Sequence, residues 1–403
     1  MEKNIVILRI ETGNISGVVR YVQMLTEGLL YKDGIKLHVI CLDTSLIFPK
    51  IEEIDGRVIA NIPFPPKSKS LKSDFYWLTK YFKVVSELLL PYFKDKSQLI
   101  WHVQELLLAK LADVLRFSLG GYIITHLHII PWKLGIEKDE CGFKIIYSQW
   151  MNNIFNLISE NQLEKIAYSI SDKIICVSYS AMKHIAQVYH VNPNKISVIY
   201  NGMDNSGISL RSRKEAIPEV LFVGRISREK GVLGLLNALN KVFSRGYSCK
   251  LKLIGQCSSY MSAHIHKAYK QLDIEMLGAV SFSELKELYS ESTIGIIPSL
   301  HEQCSYVAIE MSMFGMPIIV SDVDALSEMF ENEVNALKIP LVFDEDFGLE
   351  LDEEKLADTI IRLIDDGPLR RKLSVNALRN FQERFTLGKM IENTINVYDQ
   401  LIN

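Results

Sequence analysis

The sequence predicts an α/β fold of parallel strands arranged in two domains, and three observations carry that reading. Short apolar, β-branched runs at 5–10 (IVILRI), 220–223 (VLFV) and 294–298 (IGIIP) alternate with longer stretches whose apolar residues recur at helical spacing. That is the rhythm of strands covered on both faces by crossover helices. Glycines follow the strands at 13–17, Gly224 and Gly255, where a chain leaving a strand must turn sharply. The chain has 403 residues, 48% of them hydrophobic, enough for two domains that each bury a core.

Composition narrows the function classes. A net charge of −3 gives no bulk attraction for nucleic acid. The six cysteines, at 41, 141, 176, 249, 257 and 304, are scattered without a C-x-x-C pair, so reduced buried thiols and a cytoplasmic location are expected. The apolar run near the N-terminus is short and reads as a strand rather than a signal-peptide core. Nothing approaches the roughly 18 apolar residues of a membrane span.

In order, 5–10 is the first strand, and the turn at 13–17 opens a helix with Val18, Tyr21, Val22, Leu25 and Leu29 at helical spacing. Gly17 in such a turn lets N–H groups approach a phosphate or a sugar, with the positive helix end behind them. Alone the turn is weak evidence, since it lacks the full dinucleotide fingerprint. A second strand covers 38–42. The segment 63–96 then sets seven lysines against three acids, with Phe64, Phe75, Tyr76, Trp77, Tyr81, Phe82, Tyr92 and Phe93 interleaved. A helix with an aromatic core face and solvated lysines is the plainer account of it. Strands at 99–103 and 122–127 follow, the latter running into Thr125-His126-Leu127-His128. Histidines two apart on a strand face one side, so one of them can face a ligand at the strand end. A strand at 173–178 leads to a helix at 181–189 capped by Ser178 or Ser180. Another strand at 196–200 ends in the turn Asn201-Gly202, and the polar run 204–218 reads as a linker.

The second half repeats the pattern with more chemistry in the turns. Strand 220–223 runs through Gly224-Arg225-Ile226-Ser227-Arg228-Glu229-Lys230-Gly231 into a helix at 232–243. Two cations across a strand-end turn suit a diphosphate, Arg225 as a planar fork and Lys230 as a point charge. Strands at 251–254, 277–280 and 294–298 and a serine-capped helix at 283–289 follow. Glu302 and, eight positions on, Glu310 flank a helix start at Ser305 or Tyr306. Glu302 then lies in the loop and Glu310 inside the helix, with both carboxylates facing one cleft at the carboxyl ends of the strands. The helix start at Cys304, Ser305 and Tyr306 offers N–H groups to an anion. A turn at 315–317 enters the strand at 318–320. Helices at 353–365, 368–385 and 387–402 close the chain.

The string E-x7-E, Gly-x-Pro-Ile-Ile-Val-Ser-Asp and Ser327-Glu328, taken with G-R-I-x-x-x-K-G at 224–231, Val-Ile-Tyr-Asn-Gly-Met-Asp at 198–204 and T-H-x-H at 125–128, resembles the nucleotide-sugar site of retaining, family 4 glycosyltransferases. The likeness is strongest over 201–328 and the C-terminal helices, and thinner before them. It implies the GT-B fold, two facing Rossmann-like domains with an interdomain cleft and a C-terminal helix returning to the first domain. Acceptor binding then falls to 1–203, nucleotide-sugar binding to 204–385 and the returning helix to 386–403. By the same resemblance the catalytic set is His128, Glu302, Arg225 and Lys230. His128 lies near the reacting sugar, Arg225 and Lys230 clamp the diphosphate, Glu302 holds sugar hydroxyls and Glu310 the ribose. Gly17, Gly224, Cys304, Ser305 and Tyr306 complete the donor contacts. Two departures stand out. Ser305 occupies a position where the family commonly has glycine, and Ile129 one where it often has Asp.

The expected activity is hexosyl transfer with retention from a nucleotide-diphosphate sugar to an acceptor hydroxyl, in cell-envelope or surface glycan assembly. No cofactor and no metal are expected, the diphosphate being held by cations and N–H dipoles. The acceptor would be a glycan, a lipid-linked sugar or a peptide, and nucleic acid is not a partner. The segment 63–96, with a local charge of +4 (seven Lys less Asp74, Glu87 and Asp95), is the candidate for peripheral contact with the inner face of a membrane. Two other classes stay open: a sugar-nucleotide epimerase of similar fold, and a catalytically silent GT-B subunit that activates a partner transferase.

Overall fold

The computed structural model describes residues 2–11, 17–43, 45–64, 71–129, 155–205, 217–344 and 348–402. They fall into two units, one formed by 2–129, 155–201 and 387–402, the other by 202–205, 217–344 and 348–386. The turn at 13–16, most of the linker, Cys141, Lys67 and Lys69 lie outside the described residues.

The first unit is built on β1 (Lys3–Glu11), whose Ile5, Val6, Ile7 and Leu8 are wholly enclosed. Around it come α1 (Gly17–Leu29), β2 (Ile35–Asp43), β3 (Lys50–Ile54), β4 (Arg57–Pro63), α2 (Leu71–Phe93), β5 (Leu99–Val103), α3 (Ala109–Leu119), β6 (Tyr122–Leu127), α4 (Phe155–Ile170), β7 (Lys173–Cys176), α5 (Tyr179–Val188) and β8 (Ile196–Val198). The sheet order is β3-β4-β2-β1-β5-β6-β7-β8, parallel except for the β3–β4 hairpin at one edge. Ser178 caps α5, its side chain accepting from Ala181 N, a choice the sequence left open with Ser180. The strand order reverses between β1 and β5. Open α/β sheets leave a crevice at such a point, outside the carboxyl ends of the strands.

The second unit contains β9 (Glu219–Val223), α6 (Val232–Ser244), β10 (Lys250–Ile254), α7 (Ser259–Ala268), β11 (Asp273–Gly278), α8 (Phe282–Glu291), β12 (Ile294–Ile297), α9 (Tyr306–Met313), β13 (Ile318–Ser321), α10 (Asp324–Met329), β14 (Leu337–Ile339), β15 (Leu341–Asp344), β16 (Gly348–Leu351), α11 (Glu353–Asp365) and α12 (Gly367–Arg384). Its main sheet is parallel throughout, in the order β11-β10-β9-β12-β13-β14, and reverses between β9 and β12. Ser281 caps α8 in a reciprocal box with Glu284, each side chain reaching the other's backbone N–H. The strand expected at 277–280 ends instead at Gly278, whose φ of +67° turns the chain out of the sheet. The last helix, α13 (Leu387–Ile402), belongs to the first unit, where it lies against α1: Ile391 packs so closely on Gly28 that a Cβ there would sit 2.5 Å from it.

Candidate active site

In the second unit the strand-order reversal brings two turns together. The turn after β9 tightens into a 3-10 segment at Arg228–Lys230 and passes through Gly231 at φ +68°. A Cβ on Gly231 would lie 1.8 Å from the carbonyl oxygen of Pro298, so no other residue fits against the end of β12. Leu300 N also donates to Glu229 O at 3.0 Å, tying the two turns. A second close approach holds the base of the turn: a Cβ on Gly255 would lie 2.0 Å from Gly224 O.

These constraints place Lys230 Nζ against Glu302 Oε1 in an ion pair whose side chains are 26% and 14% exposed. Ser299 Oγ donates to the same carboxylate oxygen at 3.1 Å. Arg225 lies open, 66% exposed, and meets only Glu229 at 3.3 Å among the described residues. Exposed pairs of this kind contribute little, so the guanidinium can exchange Glu229 for a phosphate at small cost. Directly after Lys230 and Gly231, α6 begins without a side-chain cap, so its first-turn N–H groups have no capping side chain.

Ser305 caps α9, accepting from Ala308 N at 3.3 Å, which leaves Glu302 in the loop as the sequence implied. The second carboxylate departs from the expectation of one shared cleft. Nearly every side chain of α9 is enclosed, and Glu310 is 1% exposed, its Oε2 accepting from Tyr289 Oη at 2.6 Å. The two glutamates therefore have separate partners and different access. The helix is walled by protein on all sides, which a helical period in the sequence does not reveal. Cys304 and Tyr306, at the helix start, are each 9% exposed.

The expectation of a metal-free site overlooked an Asp-x-Asp directly behind β13, at 322–324. Both aspartates are engaged. Asp322 Oδ1 accepts from Ser327 Oγ at 2.7 Å and pairs with Lys338 Nζ at 3.3 Å. Asp324, at φ +37°, pairs with Nδ1 of His301, the residue before Glu302. Among the described residues no group of three His, Cys, Asp or Glu side chains is placed to hold a metal ion. His301 was not among the residues expected at the site, although it stands beside a glutamate at a strand end.

In the first unit the carboxyl ends of β5 and β6 carry a cluster of stacked histidines. His128, just past β6, is partly buried and stacks on His126 with ring centroids 4.2 Å apart and planes 13° from parallel. Its Nε2 lies 3.0 Å from Oε1 of Gln104, the residue after β5. His126 Nδ1 meets His102 Nε2 at 3.3 Å, and His102 Nδ1 meets Tyr398 Oη of α13 at 2.8 Å. Burial, the largest cause for each, pushes His102 and His128 down to about 3 and His126 well below its usual value. Next to Gln104, Glu105 accepts from Ile10 N at 3.1 Å, and burial raises its carboxyl to about 8. Gln104 and Glu105 sit at the β1/β5 reversal and were not singled out in the sequence. Their position directly after a strand would have marked them. Gly17 opens α1 on an exposed position. A surface cavity of about 470 Å³ lined by Lys96, Leu99, Gly121 and Tyr122 lies at the opposite, amino ends of these strands.

Comparison with known proteins bears on both units. A family model described as Glycosyltransferase Family 4 matches residues 15–206, and one described as Glycosyl transferases group 1 matches 217–366. An uncharacterized glycosyltransferase of Methanocaldococcus jannaschii is 27% identical over 298 residues, which cover 69% of this chain and 71% of that protein. An O-antigen chain mannosyltransferase of Salmonella typhimurium is 28% identical over 236 residues, covering 58% of this chain and 65% of that one. Among solved structures, sucrose-phosphate synthase from Thermosynechococcus elongatus superposes with a TM-score of 0.76 at 18% identity over 99% of both chains. The Anabaena protein HepE in complex with UDP-glucose does so with a TM-score of 0.68 at 14% identity, over 98% of this chain and 100% of that one. At such identities these structures speak to the fold, which is GT-B.

Proposed function

The chain belongs to the family 4 glycosyltransferases, and from that premise we propose that it moves a hexosyl group from a nucleotide-diphosphate sugar to an acceptor hydroxyl with retention at the anomeric carbon, using no metal ion. The observation that carries this reading is the Lys230–Glu302 pair at the β9/β12 reversal, with the open Arg225 on the same turn. A cation for the diphosphate and a carboxylate for sugar hydroxyls stand side by side, where an α/β sheet takes its ligand.

In the proposed reaction the bond from C1 to the phosphate oxygen breaks as the bond from C1 to the acceptor oxygen forms on the same face. The acceptor proton passes to the departing phosphate, and no protein nucleophile is required. Arg225, Lys230 and the N–H groups at the start of α6 hold the negative charge that builds on the diphosphate. Glu302 accepts from donor hydroxyls, as carboxylates suit diols, while His128 is assigned to the reacting sugar and Glu310 to the ribose. The HepE complex with UDP-glucose makes UDP sugars the first donors to test. The mannosyltransferase relative, named for an O-antigen chain, supports a role in surface glycan assembly.

Incubation with a panel of UDP-, GDP- and ADP-hexoses, reading nucleoside diphosphate release and sugar interconversion, tests the proposal. Release that rises when an acceptor extract is added supports it. Interconversion without release would make the chain an epimerase, and inertness until a partner protein is added would make it a silent subunit.

A further inference from the structure

We propose that Gln104 is a positioning residue for His128: its amide oxygen fixes the imidazole as the Nε2–H tautomer and leaves the Nδ1 lone pair as the atom that accepts from a ligand hydroxyl. This deepens the transferase reading, on which the role of His128 rests.

The geometry restricts the imidazole from three directions. Gln104 Oε1 is 3.0 Å from Nε2, the ring of His126 covers one face at 4.2 Å, and Tyr21 meets the ring edge-on at 4.7 Å. None of these partners is loose. Gln104 is 2% exposed, and its backbone N–H is bonded to Leu8 O at 2.9 Å, so the residue is anchored to the central strand at the β1/β5 reversal. His126 is held through His102 to Tyr398 of the closing helix.

An amide oxygen can only accept, so the N–H of the pair belongs to His128. With His128 at about 3 the ring is neutral at working pH and carries one N–H, on Nε2. Nδ1 is therefore a bare acceptor, and it makes no hydrogen bond among the described residues. The Gln104 Nε2 donor is also without a partner among the described residues. The pair thus keeps one acceptor, His128 Nδ1, for a ligand hydroxyl, while the Gln104 donor is enclosed. Were the amide turned over, its NH₂ would donate to the ring and the tautomer would reverse, so the tautomer is the quantity to measure.

The experiment is nitrogen NMR of the full chain labelled at histidine, with His128→Gln assigning the resonance, alongside steady-state kinetics. The expected result is an Nε2–H ring in the native protein and mixed tautomers in Gln104→Leu. That variant should lose about 10- to 100-fold in kcat with donor KM little changed. Gln104→Glu keeps an acceptor on Nε2, so it should restore the tautomer and most of kcat, while its charge adds an acidic limb to the pH–rate profile. A native Nδ1–H ring, or a Gln104→Leu protein with unchanged tautomer and kcat, overturns the proposal. The NMR arm needs no turnover, so an absence of transferase activity would sink the functional reading and leave the Gln104 assignment to be judged on its own data.

Discussion

Lys230 Nζ and Glu302 Oε1 are ion-paired across the strand-order reversal of the second unit although 72 positions separate them in the chain. The pair holds the cation and the carboxylate in place before any ligand arrives, so the electrostatic cost of ordering them falls on folding rather than on the reaction. A donor entering the corner would give each member a new partner, phosphate for Lys230 and sugar hydroxyls for Glu302.

Replacing Lys230 or Arg225 by Ala should lower kcat by about 10² to 10³, the usual loss of about 3 to 4 kcal/mol when one donor to a developing oxyanion is removed. The two variants should differ in stability. Lys230→Ala strands a mostly buried carboxylate and should cost about 1–3 kcal/mol, whereas the exposed Arg225 should cost little. Thermal melts beside initial rates check both. Normal turnover in both folded variants would remove the diphosphate clamp from this corner.

Turnover should persist in excess EDTA. The Asp-x-Asp at 322–324 makes this a sharp test, because Asp322 and Asp324 already have Lys338 and His301 as partners and would have to leave them to take a cation. Activity lost in EDTA and regained only with Mg2+ or Mn2+ would reassign those aspartates and the leaving-group chemistry with them.

Tyr289 and Glu310 should separate stability from binding. Tyr289→Phe removes the hydroxyl that serves a buried carboxylate oxygen, and should cost about 1–3 kcal/mol of stability while leaving donor KM nearly unchanged. Glu310→Ala should raise donor KM about tenfold or more, equivalent to about 1.4 kcal/mol, with kcat less affected. Equal effects of the two changes on KM would show that Glu310 acts through its packing and not through ribose.

What could be read in the sequence was what local pattern determines. The strand cores, the Ser305 cap and the loop position of Glu302 follow from residues within a few positions of each other. The Lys230–Glu302 and His102–Tyr398 contacts do not, because their partners come from distant strands and the closing helix. Glu310 shows a different limit: periodicity tells which side of a helix is apolar, but α9 is enclosed on every side. The β3–β4 hairpin was legible and missed. Asp55-Gly56, at φ +52° and +72°, is the two-residue turn that joins its strands, though the exposed β3 has no apolar run to announce it.

Acid should destabilise the fold well before carboxylates titrate. Burial holds His38, His102 and His128 at about 3, and His126 well below its usual value, against 6.5 in the unfolded chain. Below pH 6.5 the unfolded state therefore binds more protons, and between pH 7 and 5 stability falls by about 2 kcal/mol for each of His38, His102 and His128, with His126 acting in the same direction. Glu105 opposes them. With its carboxyl raised from 4.5 to about 8, the folded state binds the extra proton between those values and gains stability as pH drops. Four histidines outweigh one glutamate, so Tm should fall from pH 7 to 5. Glu105→Gln keeps an acceptor for Ile10 N, should raise Tm at pH 8 and should steepen the acid loss. A Tm level across pH 7 to 5 would show that these histidines take up protons in the folded state.

No helix among the described residues is long and apolar enough to cross a membrane. Helix α2 turns Phe82, Val85, Leu89 and Phe93 into the core and leaves Trp77, Val84 and Leu88 at 54%, 59% and 39% exposure. Positions 77, 84 and 88 share one helical face, and Lys80 and Lys83 are exposed beside them. An apolar stripe flanked by lysines suits an anionic lipid surface, each near-surface Lys contributing about 1 kcal/mol. We therefore expect co-sedimentation with vesicles containing phosphatidylglycerol at low salt, weakening as salt is raised. Replacing Lys67, Lys69 and Lys72 by Glu should weaken it further, as should Trp77→Ser, which removes apolar area and no charge. Such binding favours a lipid-linked acceptor over a soluble one. Absence of binding at low salt would exclude this mode of docking.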